Sequence, residues 1–458
     1  MKILMTGATG LIGKNLGIRL VQEGHQIVVI TRNKTQAALN MSFPCDIIEH
    51  DLIQEELSLE AFQEIDAIIH LMGETIDGKW TPSKKKKILE SRSLSSKNLL
   101  KNCPSTVQVI VTASGQGYYG DRQDDELTES APVGKNFLAE VCHEWEKSFT
   151  QLQNYNLKNQ IKQRVIIFRL GIVLTSQGGA LKKLTELFQK NVGASLGTGE
   201  AWMSYIGLLD LENIFVNALF DQRYEGIFNI STEQPIQNRQ FTQELCEQLN
   251  RLKLPNVPEF VLRLMYGEMA DLVLASTRTV PKKLLDLGYH FLQPTLKSIL
   301  NEELKSYKNG QSVLFFQQYI PKPINEVFDF FSEAKNLEKI TPPFLNFNIS
   351  SISTPQIQKG TEIVYQLKIH GVPVTWKTDI AYWNPPYEFV DNQRKGPYSL
   401  WNHTHSFSKL GNGTLMRDRV IYKIPLGFLS ELTVKSWIEN DVQKIFKFRR
   451  EVIHQFFT

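Results

Sequence analysis

The stretch Lys2-Ile3-Leu4-Met5-Thr6-Gly7-Ala8-Thr9-Gly10-Leu11-Ile12-Gly13 decides the fold of this chain. Lys2 to Met5 is apolar and β-compatible, Thr6 to Gly13 turns, and Lys14 to Glu23 carries helical spacing that Gly24-His25 closes. Three glycines at this spacing between a strand and a helix have separate physical roles. Gly7 allows the tight turn, Gly10 lets the backbone approach a pyrophosphate, and Gly13 permits close packing of helix on strand. Thr9, Leu11 and Ile12 belong to the same turn and helix start, whose N–H groups and dipole stabilise phosphate.

Outward from this turn the pattern repeats. Gln26 to Ile30, Ala67 to Leu71, Val107 to Thr112 and Val165 to Leu170 are strand-like runs, each followed by a loop and a polar or amphipathic stretch. Strands alternating with helices predict an α/β fold of Rossmann type with a doubly wound parallel sheet. In such a sheet the end of the second strand selects the cofactor, because a carboxylate there accepts from a ribose 2′-hydroxyl and repels a 2′-phosphate. Thr31 and Arg32 hold that place, with Lys34 close by, so the reading favours NADP(H) over NAD(H). By the same strand-end logic Asp51 and Leu52 are expected near the adenine, and Leu71, Met72 and Gly73 near the ribose and phosphates. Thr112, at the end of the next strand, completes the expected cofactor contacts.

A chain of 458 residues exceeds one core and predicts two or three domains. From Gln240 to Lys308 it reads as mainly helical, punctuated by Pro255, Pro258, Pro281 and Pro294, which suits a smaller cap over the substrate side. The periodicity changes near Asn301 to Ser312, so the expected division is 1–304, a linker at 305–312, and a second domain at 313–458. A net charge of +3 is too mild to announce a nucleic-acid partner, and Lys84 to Lys87 reads as a solvated helix face. No signal-peptide core follows Ile3-Leu4-Met5, and no apolar run approaches the roughly 20 residues of a membrane span. Cys45, Cys103, Cys142 and Cys246 are widely spaced without CxxC pairing, the pattern of reduced buried thiols, so a cytoplasmic protein without membrane insertion is expected.

The segments Thr112-Ala113-Ser114-Gly115-Gln116-Gly117-Tyr118-Tyr119-Gly120-Asp121, Phe137 to Cys142 with Trp145-Glu146, Gly267 to Ala270 and Pro281 to Leu284 narrow the reading further. With the amino-terminal glycine turn, they resemble the extended short-chain dehydrogenase/reductase superfamily, in its atypical "epimerase family" branch, from Met1 to about Leu304; the cap resembles the DUF1731 type. The superfamily's usual chemistry needs a tyrosine and a lysine four residues apart on one helix face, the lysine lowering the phenol's pKa. No Tyr-x-x-x-Lys occurs in this chain. The resemblance implies that Ser114 contacts the reacting oxygen, and it leaves Tyr118, Tyr119 and Glu74 as candidate proton donors; the catalytic set expected is Ser114, Tyr118 and Glu74. His143 reads as a solvated residue. Gly207 stands where relatives usually carry histidine, which removes a further acid or base.

Residues from Ser312 onward are an α+β pattern: an apolar aromatic run at Val313 to Tyr319, helical spacing at Ile324 to Lys335, strand-like runs such as Glu362 to His370 and Leu415 to Ile424, and an amphipathic stretch from Glu431 to Phe457 with Trp437, Ile445, Phe446 and Val452 at core positions. Pro323 to Phe331, Gly371 to Trp376, Gly396-Pro397-Tyr398, Trp401 to Phe407 and Gly413-Thr414 resemble the START-like (SRPBCC, polyketide cyclase/dehydrase-like) superfamily. That likeness implies a helix-grip fold and a hydrophobic ligand. His403 and His405 alternate along a strand and share a face, the pattern of residues that meet a ligand in a cavity or interface or of hydrogen-bonded structural histidines; two histidines without a third ligand in reach make a weak metal claim, so no metal is expected. Trp376, Trp383 and Trp401 read as core. Two functions follow: an NADP(H)-dependent oxidoreductase or epimerase/dehydratase-like enzyme acting on a small molecule, or a non-catalytic NADP(H)-binding sensor that lost the Tyr-Lys pair. Neither oligomeric state nor substrate is legible.

Overall fold

The computed structural model describes residues 1–307, 310–425 and 435–457, with side chains from 438 onward in the last segment. It divides into two compact units, Met1–Lys34 with Cys45–Lys305, and Thr35–Pro44 with Ser306–Thr458. Seven strands form the centre of the first: β1 (Lys2–Thr6), β2 (Gln26–Thr31), β3 (Asp46–Glu49), β4 (Ala67–His70), β5 (Val109–Gly115), β6 (Arg164–Leu170) and β7 (Gly226–Ile230). They pair in parallel in the order β3-β2-β1-β4-β5-β6-β7. The reversal of order beside β1 makes that strand the switch point, where the carboxyl ends of β1 and β4 border a crevice. Runs such as Ile3-Leu4-Met5 and Ile166-Ile167-Phe168 have no exposed surface, as strands covered by helices on both faces require.

Helices α1 (Leu11–Gln22), α2 (Pro82–Leu100) and α3 (Phe137–Lys158) follow β1, β4 and β5. The second and third are capped by side chains: Thr81 accepts from the N–H of Lys84, with Pro82 in the first turn, and Asn136 accepts from that of Ala139. Trp145 and Phe149 of α3 pack on Ile110, Val165 and Ile167. The expected helical region resolves into helices at Asn238–Leu249, Glu259–Tyr266, Ala270–Leu274, Lys282–Asp286 and Leu296–Glu303, interrupted by a short strand at Leu254–Val257. Asp210 fastens it, accepting from Tyr289 Oη (2.9 Å) and the N–H groups of Leu292 and Gln293 (both 2.8 Å).

The second unit is a separate antiparallel sheet. Its strands are β8 (Ser312–Ile320), β9 (Asn348–Ile352), β10 (Glu362–Ile369), β11 (Val372–Asn384), β12 (Glu388–Lys395), β13 (Leu400–Leu410) and β14 (Gly413–Lys423). Their order is β8-β14-β13-β12-β11-β10-β9, a meander whose first strand closes on its last. Helices α4 (Ile324–Ser332) and α5 (Lys435–Phe457) cover one face. Val442 and Phe446 of α5 pack on Leu314, Val420 and Tyr422, and its Ile453 and Phe457 join Phe328, Phe389 and Phe407. Trp376 is buried, while Trp383 and Trp401 pack at the margins of the cores. Thr35–Pro44, read from sequence as part of the first domain, groups with this unit; there Arg450 donates to Asn40 Oδ1 (2.8 Å). Lys308 and Asn309 of the expected linker, Glu431 to Val434 of the amphipathic stretch and the Trp437 side chain lie outside the described residues.

Phe328 touches the rings of Trp383, Phe389 and Phe407 at centroid separations of 5.2, 6.0 and 5.6 Å. Phe328→Ala is therefore expected to cost the second unit about 3–5 kcal/mol. Hydrogen-exchange protection in β12 and β13 measures it, and a loss below about 1 kcal/mol would contradict this packing.

Candidate functional site

The glycine turn is shaped by contacts that admit no side chain. Gly7 has φ +69°, and a Cβ on it would lie 2.6 Å from the backbone C and O of Leu71. A Cβ on Gly13 would strike the Gly7 carbonyl oxygen. Helix α1 starts from Gly10 with no side-chain cap, so its first-turn N–H groups keep their capacity for an anion, and Thr9 and Gly10 are exposed. This cradle fits a pyrophosphate.

Beside it, Thr6 Oγ1 accepts from the N–H groups of Leu71 (3.2 Å) and Met72 (3.3 Å), which leaves its own hydrogen for His70 Nδ1 at 2.8 Å. His70 is fully buried, and burial, aided by the Arg92 charge, drives its imidazole down to about 3. Neutral and bonded at Nδ1, it turns its Nε2–H toward Ser95 and Ser96 of α2 (3.4 Å each). The loop Leu71-Met72-Gly73 is thereby tied to both β1 and α2.

Gly73 admits Arg92, since a Cβ there would come 2.8 Å from the guanidinium carbon. Arg92 donates to the carbonyls of Glu74 (3.0 Å) and Ile88 (3.1 Å) and lies over the Trp145 ring at 5.0 Å. Glu74 pairs with Lys84 at 2.7 Å. That bond, with further help from Lys87 and Arg32, holds its carboxyl below the usual range, so at neutral pH Glu74 has no proton to give. Thr31 is half-buried and Arg32 exposed at the end of β2. Leu52 belongs to the core, and Asp51 Oδ1 accepts from the N–H of Ile53 (2.9 Å), shaping its own turn. Thr112 is buried, its hydroxyl 3.1 Å from the Ala113 carbonyl.

Ser114 ends β5 in a buried network that the sequence did not disclose. Its hydroxyl donates to Glu146 Oε1 at 2.7 Å, and Glu146 in turn receives the Arg169 fork at 2.9 Å (Nε) and 2.8 Å (Nη2). Arg169 Nη1 donates to Tyr119 Oη (3.0 Å), which donates to Asn229 Oδ1 (2.6 Å). Burial pushes the Tyr119 phenol up to about 12, and its hydrogen is committed to Asn229. Tyr118 is half-buried, its ring 3.4 Å from the Arg169 guanidinium carbon. Of the two adjacent phenols, Tyr118 is the one whose hydroxyl no partner in this network holds. Gln116 Nε2 and Trp145 Nε1 are buried donors with no partner, the condition of groups that await a ligand.

The structure thus brings Ser114 and Tyr118 together around Arg169, and ties Glu74 into the Lys84 pair. His143 is exposed. A Cβ on Gly207 would collide with Oε1 of Gln293, so that amide occupies the place beside it. Glu146, Arg169, Arg92 and Asn229 escaped the sequence reading, although one signal was present: an arginine within the apolar strand Val165-Ile166-Ile167-Phe168-Arg169-Leu170 demands a buried anion.

Arg169→Met, leaving Glu146 buried and unpaired, is expected to cost about 3–5 kcal/mol in chemical denaturation, and Glu146→Leu with Arg169→Met appreciably less. Equal losses in the single and double variants would refute the pairing. Burial also pushes the Cys142 thiol up to about 11. At pH 8 it should alkylate with iodoacetamide at least about tenfold more slowly in the native chain than in denaturant, as mass spectrometry of the labelled peptide would show.

Residues 3–231 match the family described as NAD dependent epimerase/dehydratase, and residues 257–303 match the domain of unknown function DUF1731. The Arabidopsis thaliana protein described as epimerase family protein SDR39U1 homolog, chloroplastic, is 35% identical over 306 residues, which cover 66% of this chain and 86% of that protein. Epimerase family protein YfhF of Bacillus subtilis is 28% identical over 313 residues, 67% of this chain and 99% of that protein. Among solved structures, human epimerase family protein SDR39U1 with NADPH superposes with a TM-score of 0.57 at 24% identity, covering 67% of this chain and 99% of the human one. UDP-glucose 4-epimerase of Thermus thermophilus with NAD gives a TM-score of 0.52 at 20% identity, covering 67% of this chain and 99% of that one. Among the described residues no helix is long and apolar enough to cross a membrane.

Proposed function

Because this chain belongs to the NAD dependent epimerase/dehydratase family, a nicotinamide-nucleotide-binding family with a Rossmann-like sheet, we propose that its first unit is an NADP(H)-dependent oxidoreductase or epimerase/dehydratase-like enzyme acting on a small molecule. The observation that carries this is the pairing of an uncapped glycine cradle at α1 with Thr31 and Arg32, rather than a carboxylate, at the end of β2. Leu11, Ile12 and Gly13 would hold the pyrophosphate, Arg32 the 2′-phosphate, and Leu71 to Gly73 the ribose and phosphates nearer the reacting end. A bound nicotinamide would supply or accept hydride at a substrate carbon. Tyr118 would donate to the substrate oxygen and Ser114, whose hydrogen goes to Glu146, would accept from a substrate hydroxyl, while Glu146 and Arg169 act as positioning residues that orient the serine and stack the tyrosine.

The second unit is proposed as a START-like helix-grip module for a hydrophobic ligand. Its strand order and the packing of α5 on one sheet face support that reading. A second reading of the first unit, an NADP(H)-binding sensor, is favoured by one observation: Tyr119 is committed to Asn229, and no lysine stands four residues after any tyrosine.

Fluorescence titration separates the cofactors. NADPH should bind more tightly than NADH, and Arg32→Ala should weaken NADPH by about tenfold or more, the value of a charged hydrogen bond, while changing NADH far less. Equal affinity for both dinucleotides would overturn the NADP(H) assignment. Ser114→Ala should lower NADP+-dependent oxidation of a substrate hydroxyl by about tenfold, the value of one hydrogen bond, with dinucleotide affinity retained; tight NADPH binding without turnover on carbonyl lipids, polyketides or nucleotide sugars would favour the sensor.

A further inference from the structure

In the second unit the antiparallel register places four chemistry-bearing residues on one face of three adjacent strands. Asp391 of β12 lies directly opposite His403 of β13, and His405, two residues on, lies directly opposite Asp418 of β14. His403, His405 and Asp418 are buried, and Asp391 is nearly so, with 17% of its side chain exposed. Facing aromatic rings seal the group: Phe389 stacks on His405 at 4.2 Å and Phe446 meets His403 at 5.5 Å.

Asp418 Oδ1 lies 2.9 Å from both His403 Nε2 and His405 Nδ1. The Arg449 guanidinium lies 3.7 Å from the same oxygen. His403 Nε2 donates to Asp418 Oδ1, while His405 Nδ1 faces both that oxygen and Arg449 Nη2, 3.3 Å away. The remaining nitrogens, His403 Nδ1 and His405 Nε2, point toward Asp391 Oδ2, 3.7 and 3.0 Å away. One ligand atom from each of Asp391, His403 and His405 lies within 4.8 Å of the others, a spacing that a single cation can bridge.

We propose that Asp391, His403 and His405 bind one divalent transition-metal ion, zinc by their mixed nitrogen and oxygen donors, with Asp418 as the outer carboxylate that orients both imidazoles. Zinc bonds of about 2.0–2.2 Å in tetrahedral geometry put donor atoms roughly 3.3–3.5 Å apart, between the two separations measured at Asp391. The carboxylate on the far nitrogen of each ligating histidine is the support that such sites use to fix tautomer and ring orientation. With the ion in place, two carboxylates and Arg449 leave one positive charge, so the fourth position favours an anionic oxygen donor, reached from the partly exposed side at Asp391. Sequence spacing hid the third ligand, because Asp391 is brought beside His403 only by the pairing of β12 with β13.

The full chain, tag-free and dialysed against a chelator, is titrated with zinc alone in competition with a chromophoric chelator, and with cobalt(II) as a spectroscopic probe. One zinc per chain is expected, with affinity falling at least a hundredfold in His405→Gln and Asp391→Asn and about 10–100-fold in Asp418→Asn. Zinc uptake unchanged in His405→Gln, or no uptake by the unsubstituted chain at micromolar zinc, overturns the site and leaves a proton as the ion between Asp391 and His405. Should a variant fail to fold, the cobalt spectrum of the unsubstituted chain decides. Intense ligand-field bands of four-coordinate cobalt support the site, and the weak spectrum of hydrated cobalt overturns it.

Discussion

A guanidinium buried in the middle of a parallel sheet has to be answered from within the protein, and in the first unit that requirement organises the carboxyl ends of β5 and β6. Arg169 is 1% exposed on β6. Water cannot solvate it, and an uncompensated charge there would be prohibitive. Glu146 reaches across from α3 with both carboxylate oxygens, which sets the rotation of that helix about its axis. One oxygen is shared with Ser114 and the guanidinium's third nitrogen with Tyr119, so strand, helix and the loop after β5 are fixed by a single ion pair. Such a pair contributes less to net stability than to the uniqueness of the arrangement, since well-packed apolar residues could replace it at little cost.

The dinucleotide side rests on geometry of a different kind. Backbone approaches backbone at Gly7 and Gly13, and the neutral His70 links the two central strands to α2 through hydroxyls. Here the sequence was legible, because a close approach without a Cβ leaves glycine as its mark, and the strand-turn-helix order shows in five successive residue patterns. The end of β2 was legible as a position: the strand closes at Thr31, and Arg32 follows it exposed.

Legibility failed where contact depends on register between distant segments. Ser114 was visible beside its glycines, but nothing local announces that Glu146, on the next helix, would take its hydrogen, or that Tyr119 rather than Tyr118 would be locked to Asn229 from β7. Glu74 reads from the sequence as a candidate proton donor, and only the folded chain sets Lys84 against it. In the second unit the alternation of His403 and His405 was readable as a shared face, yet their carboxylate neighbours lie on other strands. A segment as short as Thr35–Pro44 can also leave its sequential neighbours and pack with residues some four hundred positions away, which no periodicity reveals.

The amide of Gln293 acts as a movable wall. It fills the space against Gly207, and its Oε1 is buried without a hydrogen-bond partner to hold it there. Any side chain at position 207 is accommodated only as that amide swings away, so the rotamer of one flexible glutamine sets how large a residue this strand end can carry.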